Sequence, residues 1–552
     1  MKTRKFQIAS VVVLVFVLCA AATLLLRCRR TARDGSVPVA CENVDKQKML
    51  EMRKQPPLPS GIRSEIRGEQ PPFPGLTPPN NAAFDAMFFK HYGVNPFIYT
   101  DDDKLSTFAI DVDTGSYTVC RSYLNRGHVP PDEAVRVEEF VNYFDYRYAP
   151  PKNDAFAIYL EGAPSKFGSN YHLLRIGIKG REIAVEERKN ANLVFVIDTS
   201  GSMQREDRLE LVKKALRLLV NQLDRYDKIG IVEYGTRARK VLDPTSLEHK
   251  DRIISAIESL RPNGSTNAEE GIVEGYKMAD GIFEKGAINR VILCSDGVAN
   301  VGRTGPESIF KRIEEMAKKG ICLSAIGFGM GNYNDVLLEQ LGDKGNGHYA
   351  YVDTLEEAKR VFVDNLTGTL QVIARDVKLQ VDFNPEVVER YRLIGYENRG
   401  IADEDFREDE VGGGAVGAGQ SATALYEIRF SKNANSGRVA TLHIRHKDPE
   451  TDKVTEVKRE IGTQDFAKSF EAASTEFRLA AGIAEFAEIL RKSYWADKGK
   501  YADVFPVIRQ ALKERQEDRD IIELLNLIAK AGDISPDEVV IKKDYIPKWG
   551  IE

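Results

Sequence analysis

Cysteine and histidine are scarce in this chain, which has six of the former and seven of the latter among 552 residues. They form no Cys-x-x-Cys pair and no His-Glu-x-x-His motif. The sequence therefore lacks the ligand spacing that is typical of zinc sites. It leaves open whether Cys41 and Cys120 form a disulfide.

An excess of basic charge is also missing, because the formal net charge is −5 and the pI is near 6.0. Without a broad positive field there is no electrostatic basis for binding DNA or RNA, so we expect no nucleic-acid partner. Hydrophobic residues make up 42% of the chain and charged residues 29%, which indicates that most of it is globular. At ~100–200 residues per domain, the chain should hold two to four domains.

One long hydrophobic run stands near the N-terminus. Phe6 to Leu26 is almost continuously apolar and follows Lys2, Arg4 and Lys5. Its length matches the ~20 residues that cross a bilayer as a helix. Residues 1–30 are therefore predicted to be a signal anchor or a signal peptide. This places the protein at the cell membrane with its bulk extracytoplasmic, or makes it secreted if the segment is cleaved.

Prolines are concentrated just after this run. Eight of the 23 prolines lie between Pro56 and Pro79. Such density excludes a helix or a central strand and favours an extended, semi-rigid tether. Residues 31–80 are therefore predicted to be a linker that holds the folded part clear of the membrane.

The central part of the chain alternates between apolar runs and amphipathic helical patterns. The runs of strand length are "NLVFVID", "KIGIVEYG", "NRVILCSDG", "CLSAIGFG" and "HYAYVD". In the first helical pattern Leu209, Val212, Leu216 and Leu219 recur at steps of three and four. Apolar strands separated by helices predict a parallel sheet in β-α-β order throughout, which is a doubly wound, Rossmann-like α/β domain at 190–368. No glycine-rich phosphate loop follows the first strand, which argues against a nucleotide ligand.

The regions on either side alternate apolar and polar residues with period two. The segments are "AFAIYLEG" and "YHLLRIGIKG" before the α/β domain, then "DVKLQVDF", "TALYEIRF" and the hairpin "GRVATLHIRHKDPETDKVTEVKREI" after it. They predict a β-sandwich into which the α/β domain is inserted. Apolar stripes beyond Phe466 predict a small C-terminal helical bundle. The predicted boundaries are 81–185 for an N-terminal accessory segment, 372–462 for a C-terminal β domain and 463–552 for the helical region.

Polar residues lie in three loops at the edge of the sheet where α/β folds bind ligands. Asp198, Ser200 and Ser202 share one tight turn, Thr266 belongs to a second loop and Asp296 to a third. Carboxylate and hydroxyl oxygens are the ligands that Mg²⁺ prefers, together with several waters. An ion held mostly by hydroxyls and water keeps much of its positive charge, so it attracts a carboxylate from outside.

The segments "DTSGS", "GSTN" and "SDG", in this order, resemble the metal-ion-dependent adhesion site of von Willebrand factor type A (VWA) domains. The pattern of that site is Asp-x-Ser-x-Ser, then Thr, then Asp. Asp198, Ser200, Ser202, Thr266 and Asp296 match its five positions. The resemblance implies a bound Mg²⁺ (or Mn²⁺) whose sixth position is filled by a Glu or Asp carboxylate of a protein ligand.

The flanking regions carry a second resemblance. The segment from Ser106 to Pro151, which includes "STFAIDVDTGSYTVC", is similar to the N-terminal segment of bacterial, YfbK-type von Willebrand proteins. The segments "ARDVKLQVDFNPEVVERYRLIGYENRG" and "VGAGQSATALYEI" are similar to the C-terminal domain that accompanies it. Together the likeness spans most of the chain, but the accessory regions carry no recognisable chemistry.

One further motif points towards an enzyme. Asp113-Thr114-Gly115-Ser116 spells the loop that carries one catalytic aspartate in aspartic proteases, which need two such carboxylates. No second Asp-Ser/Thr-Gly occurs, so only a homodimer could complete the pair. The simpler interpretation is a strand that ends in a turn, where Asp113 and Ser116 cap the next helix. We therefore expect a non-enzymatic binding protein, with a hydrolase, through this dimer or through a metal at Asp198, as the alternative.

Overall fold

The computed structural model describes residues 89–297, 306–329 and 334–535, except 433 and 435. The predicted membrane segment (1–30) and the proline-rich linker (31–80) lie outside these residues. Within them, no helix combines the length and the apolar character needed to cross a membrane.

The first described segment forms short strands and two helices ahead of the α/β domain. Its elements are β1 (Ile98–Tyr99), β2 (Leu105–Ala109), α1 (Gly115–Asn125), α2 (Val137–Asn142), β3 (Phe156–Pro164) and β4 (His172–Gly180). Cys120 on α1 is fully buried and forms no disulfide with another described cysteine. Its proposed partner Cys41 lies outside the described residues, so their pairing stays a question.

The α/β unit spans residues 191–370 and is built on a six-stranded sheet in the order β10-β9-β8-β5-β6-β7. Its elements are β5 (Ala191–Asp198), α3 (Arg208–Val220), β6 (Lys228–Tyr234), β7 (Ala238–Ser246), α4 (Lys250–Ser259), α5 (Ala268–Gly281), β8 (Ile288–Ser295), α6 (Pro306–Lys319), β9 (Ile321–Phe328), α7 (Asp335–Lys344), β10 (Tyr349–Val352), α8 (Leu355–Lys359) and α9 (Leu366–Leu370). All five predicted strands are present and run parallel. The α/β fold class predicted from the sequence is confirmed.

The prediction of β-α-β order throughout was wrong at one place. β7 follows β6 after only three residues and pairs with it antiparallel. A connection that short leaves no room for a crossover helix. Because β7 is an edge strand with several exposed polar side chains, it lacks the continuous apolar run that marks the buried strands.

The β-sandwich combines strands from both sides of the α/β unit. The strands that follow that unit are β11 (Val372–Phe383), β12 (Val388–Ile394), β13 (Gly414–Gly417), β14 (Ser421–Phe430), β15 (Arg438–Lys447) and β16 (Val454–Gly462). One sheet has the order β1-β12-β14-β4-β3, and the other has β13-β11-β15-β16 with β2 paired to β11. Residues of both sheets, such as Ile176 and Leu442, share one apolar core. The α/β unit is therefore inserted between β4 and β11, as the sequence predicted.

Three helices end the described chain. They are α10 (Thr475–Leu490), α11 (Tyr501–Glu514) and α12 (Arg519–Ile534). On α10, Leu479, Ile483 and Phe486 are fully buried, and so are Ala480 and Ala487 on the neighbouring stripe. Because both stripes are buried, little of the surface of this helix is exposed to solvent.

Helix α1 belongs to the N-terminal segment, yet it packs on the sheet of the α/β unit. Its Val119 and Tyr123 share a core with Val291 and Leu293 of β8 and Tyr351 of β10. The accessory segment thus supplies part of the helical layer on one face of that sheet. The turn at Asp113 to Ser116 predicted a helix after it, but the sequence did not indicate the sheet that this helix covers.

Candidate metal centre

The first candidate loop begins where β5 ends. Asp198 is the last residue of this fully buried strand and is itself 0% exposed. Its Oδ1 accepts a hydrogen bond from the Ser200 amide at 2.8 Å, and its Oδ2 accepts one from the Ser295 hydroxyl at 2.9 Å. Since Ser295 ends the adjacent parallel strand β8, this contact joins the first loop to the third. The carboxylate of Asp198 is therefore fixed in orientation by two donors.

Ser202 links the same two loops at their exposed side. The Oγ atoms of Ser200 and Ser202 lie 2.9 Å apart, and the Ser202 hydroxyl donates to Asp296 Oδ1 at 3.0 Å. Ser200 and Asp296 are buried, whereas Ser202 is half-buried. Four of the five predicted ligands, Asp198 included, are thus brought together by hydrogen bonds around the ends of β5 and β8.

The second loop lies beside the first. The Gly201 amide donates to the Gly264 carbonyl at 3.0 Å, and the Asn263 amide donates to the Thr199 carbonyl. Gly264 has φ +77°, a conformation that a side chain would strain. Thr266 lies two residues beyond this junction and is half-buried. Among the described residues, no side-chain hydrogen bond joins Thr266 to the other four predicted ligands.

Asp296 also contacts a cation that the sequence did not indicate. Arg208, the first residue of α3, donates from Nη1 to Asp296 Oδ2 at 2.7 Å. Both side chains are almost completely buried, 5% and 4% exposed. The two oxygens of Asp296 therefore have different partners, a hydroxyl on Oδ1 and a guanidinium on Oδ2.

Burial dominates the electrostatics of the two aspartates. Desolvation, and then the negative charge of Asp296, raises the pKa of Asp198 to about 7. Desolvation also raises the pKa of Asp296, although the neighbouring Arg208 acts in the opposite direction. Burial thus makes the ionised form of both carboxylates less favourable. A cation bound between them would stabilise that ionised form.

The donor set fits Mg²⁺ or Mn²⁺. It consists of carboxylate and hydroxyl oxygens, which hard divalent cations prefer, and it contains no sulfur or imidazole nitrogen. In the described part of the chain, no group of three or more His, Cys, Asp or Glu side chains is arranged to hold a metal ion. A metal at this position would therefore depend on Ser200, Ser202 and Thr266 as well as on the two aspartates.

Asp113 lies elsewhere, in a buried ionic cluster. Its Oδ1 accepts a hydrogen bond from the Tyr349 amide at 2.9 Å, and its Oδ2 lies 3.5 Å from Arg399 Nη2. The N-cap residue of α1 is Thr114 and makes no side-chain cap, while the Ser116 hydroxyl donates to the Ala134 carbonyl. The predicted capping role of Asp113 and Ser116 was therefore wrong. Both side chains connect α1 to other parts of the chain instead.

Two residues of the site were missed by the sequence. Arg208 carries a positive charge into the first turn of a helix, where the helix dipole disfavours it. That placement is itself a sign that an anion lies nearby. Ser295 precedes Asp296 directly, and its hydroxyl could have been noted as a further oxygen at the end of the same strand.

Three protein-family models match the chain. The model described as "von Willebrand factor type A domain" matches residues 192–364, and one described as "von Willebrand factor" matches residues 83–175. The model described as "Uncharacterized protein YfbK, C-terminal" matches residues 368–534. The first of these contains all five predicted ligand positions.

Individual relatives agree with these matches. "Uncharacterized protein YfbK" from Escherichia coli K12 is 36% identical over 475 residues, which are 81% of this chain and 82% of that protein. Inter-alpha-trypsin inhibitor heavy chain H4 from Homo sapiens is 28% identical over 164 residues, 28% of this chain and 17% of its own length. A solved von Willebrand factor type A protein from Catenulispora acidiphila aligns with a TM-score of 0.39 at 14% identity, over 71% of this chain and 88% of that one. This chain belongs to the YfbK family and carries a VWA domain.

Proposed function

We propose that the VWA domain binds a protein partner through a divalent cation, Mg²⁺ or Mn²⁺, held by Asp198, Ser200, Ser202, Thr266 and Asp296. The observation that carries the proposal is the position of the Ser202 hydroxyl. It lies 2.9 Å from Ser200 Oγ and 3.0 Å from Asp296 Oδ1, so oxygens from two separate loops already converge.

Residues of the chain itself hold the proposed metal ligands in position. Ser295 and the Ser200 amide orient Asp198, and Arg208 orients Asp296, so the oxygen cluster is preorganised before any ligand arrives. When bound, the cation supplies a coordination position for an Asp or Glu carboxylate of the partner.

Charge supports this role over simple metal storage. Asp198 and Asp296 bring two negative charges, and the guanidinium of Arg208 offsets one of them. With a divalent cation added, the site would carry net positive charge in a poorly hydrated setting. Such a site favours an incoming carboxylate. Asp113, the basis of the aspartic-protease form of the hydrolase alternative, is only 4% exposed, so we favour binding over that form of hydrolysis.

We further propose that the predicted N-terminal segment (1–30) tethers this domain to the membrane with its bulk outside the cytoplasm. Its apolar length and the proline-rich stretch after it support this placement. Protease added to spheroplasts should digest the VWA domain, whereas a domain on the cytoplasmic side would be protected until the membrane is opened.

Calorimetric titration of the full-length chain with Mg²⁺ and Mn²⁺ tests the metal directly. Asp198→Asn keeps an acceptor for the Ser200 amide but removes a charge, and we expect at least tenfold weaker metal binding. Ser202→Ala should weaken binding in the same direction. Asp251→Asn, which removes a carboxylate from the exposed face of α4, is the matched control and should bind like the unaltered chain.

A partner assay tests the second half of the proposal. Capture of membrane proteins by the full-length chain in Mg²⁺ should be lost in EDTA and lost with Asp198→Asn, while circular dichroism shows that the variant is folded. Equal capture in Mg²⁺ and EDTA would contradict a metal-mediated contact. Absence of calorimetric binding by the unaltered chain would contradict the metal site itself.

A further inference from the structure

A cavity of about 340 Å³ is lined in part by residues that adjoin two loops of the candidate metal centre in the chain. Met203 and Gln204, which follow Ser202 in the chain, form one side of it. Arg261 and Pro262, which precede the second candidate loop, form another. The backbone bonds between Thr199 and Asn263 and between Gly201 and Gly264 hold these two sides together. The cavity is therefore built by the same two loops that carry Ser202 and Thr266.

Both carboxylates that line this cavity are already paired with a cation. Lys213 lines it and donates to Glu210 at 2.7 Å, and Glu258, another lining residue, pairs with Arg217. The Lys213 ammonium holds the pKa of the Glu210 carboxyl below its ordinary value, and the charges of Arg217 and Arg261 act in the same direction. The two lining carboxylates thus already have partners, so one of the two lining cations has no carboxylate partner in the described part of the chain.

Arg261 is that cation. Its Nη1 donates to the carbonyl oxygens of Glu258 and Leu260 at the end of α4. Among the described residues, no carboxylate lies within ion-pair distance of it. Its side chain is exposed, so its other guanidinium donors are accessible from the cavity. A guanidinium with free donors is suited to a planar carboxylate, which it can bind with two parallel hydrogen bonds.

We infer that this cavity, with Arg261 as its anchor, binds a second acidic side chain of the same partner whose first carboxylate meets the metal. The inference rests on the proposed function and adds to it the chemistry of the partner, a segment with two acidic residues a few positions apart. Pro262, which is half-buried, provides an apolar wall for the methylene groups of that second side chain.

An array of synthetic peptides probed with the full-length chain tests the inference. The peptides are glycine-serine decamers with no Asp, with one Asp, or with two Asp separated by one to five residues. In Mg²⁺ we expect at least one two-acid spacing to bind about tenfold tighter than the one-acid peptide. Arg261→Gln should reduce that peptide to the one-acid level. Arg252→Gln, which removes an exposed arginine of α4 that does not line the cavity, should leave the preference intact.

The possible results separate the two proposals. Metal-dependent binding with no preference for two acids, or a preference that survives Arg261→Gln, overturns the cavity inference and leaves the metal centre standing. A preference that Arg261→Gln removes but EDTA and Asp198→Asn do not affect supports the acidic subsite and overturns the metal. If none of the acidic peptides binds better than the acid-free peptide, both are overturned.

Discussion

Arg208 Nη1 lies 2.7 Å from Asp296 Oδ2, and both side chains are buried at the edge of the VWA sheet. This pair places a fixed cation of the protein next to a carboxylate that the family pattern assigns to a metal. The guanidinium would compete with the proposed metal for the negative charge of Asp296, and it fixes the direction of the carboxylate. Replacing it should therefore affect metal affinity and stability in opposite directions.

The first prediction concerns Arg208→Met, which keeps the length of the side chain but removes its charge. Without metal, the variant should lose roughly 3 kcal/mol of stability because Asp296 is left buried without its partner. With its charge no longer offset, Asp296 should bind Mg²⁺ at least fivefold tighter, about 1 kcal/mol. Thermal unfolding across a Mg²⁺ series measures both effects. A variant that binds Mg²⁺ more weakly than the unaltered chain would show that Arg208 assists the metal rather than competing with it.

The second prediction uses Gly329, which follows β9 and packs against the stem of Arg208. Gly329 has φ +76°, and a Cβ added there would lie 2.3 Å from Arg208 Nε. Gly329→Ala should therefore push the guanidinium away from Asp296 and strengthen Mg²⁺ binding, as Arg208→Met does. It should also cost about 1 kcal/mol of backbone strain.

Gly286→Ala is the matched control for this substitution. Gly286 has φ +90° but no neighbour within 4 Å of an added Cβ, so it carries the same strain without the contact. It should lose similar stability and keep the Mg²⁺ affinity of the unaltered chain. If calorimetry finds the same affinity for both glycine variants, the packing of Gly329 on Arg208 has no influence on the site.

The third prediction concerns the junction between the accessory segments and the VWA domain. The Arg121 guanidinium, on α1, donates to Asp353 and Glu357 of the VWA domain and to Glu523 of α12. Its side chain is 4% exposed. Arg121→Met should reduce the free energy of unfolding by roughly 3–5 kcal/mol, because it leaves buried carboxylates without their cation.

Lys166→Met provides the comparison for Arg121→Met. Lys166 lies 3.7 Å from Glu471, and half or more of each side chain is exposed. Removal of such a surface pair should change stability by less than about 1 kcal/mol. Urea denaturation of both variants measures the difference. Equal urea midpoints for the two variants would mean that the ion pairs of Arg121 do not stabilise the junction between the accessory segments and the VWA domain.

The parts of the fold that were predicted from sequence are those with strong local patterns. The five parallel strands have apolar residues on both faces, so they stand out from the helices between them. The candidate ligands were predictable because Asp198 and Asp296 each follow such a strand. Chain order and strand type therefore predict that these two aspartates lie at the same edge of the sheet.

The parts that were missed depend on contacts between distant residues. β7 is polar and lies at the sheet edge, so its pattern resembles a loop. The packing of α1 on β10, and the bond from the Tyr349 amide to Asp113, join positions more than 200 residues apart. The pairing of Arg208 with Asp296 depends on which way a side chain points. Periodicity carries no information about that.

The last prediction is a pH dependence that arises in α10, away from the metal centre. Burial, and then the negative charges of Glu488 and Glu427, raises the pKa of Glu485 from 4.5 to about 8. The folded chain therefore holds this proton more tightly than the unfolded chain does. The stability linked to Glu485 is fully present below pH 4.5 and is lost as the pH rises through 8. Glu485→Gln, which cannot ionise, should remove this loss.

We expect Glu485→Gln to be more stable than the unaltered chain by roughly 4–5 kcal/mol at pH 9. At pH 4, where Glu485 is largely protonated in both the folded and the unfolded chain, the two proteins should have nearly equal stability, which provides the internal control. Urea denaturation at pH 4, 6, 8 and 9 measures the difference. Other groups also change protonation on unfolding in both proteins. Only the difference in stability between the two proteins therefore reports on Glu485. A difference that stays constant from pH 4 to pH 9 would show that Glu485 ionises in the folded protein as it does in the unfolded chain.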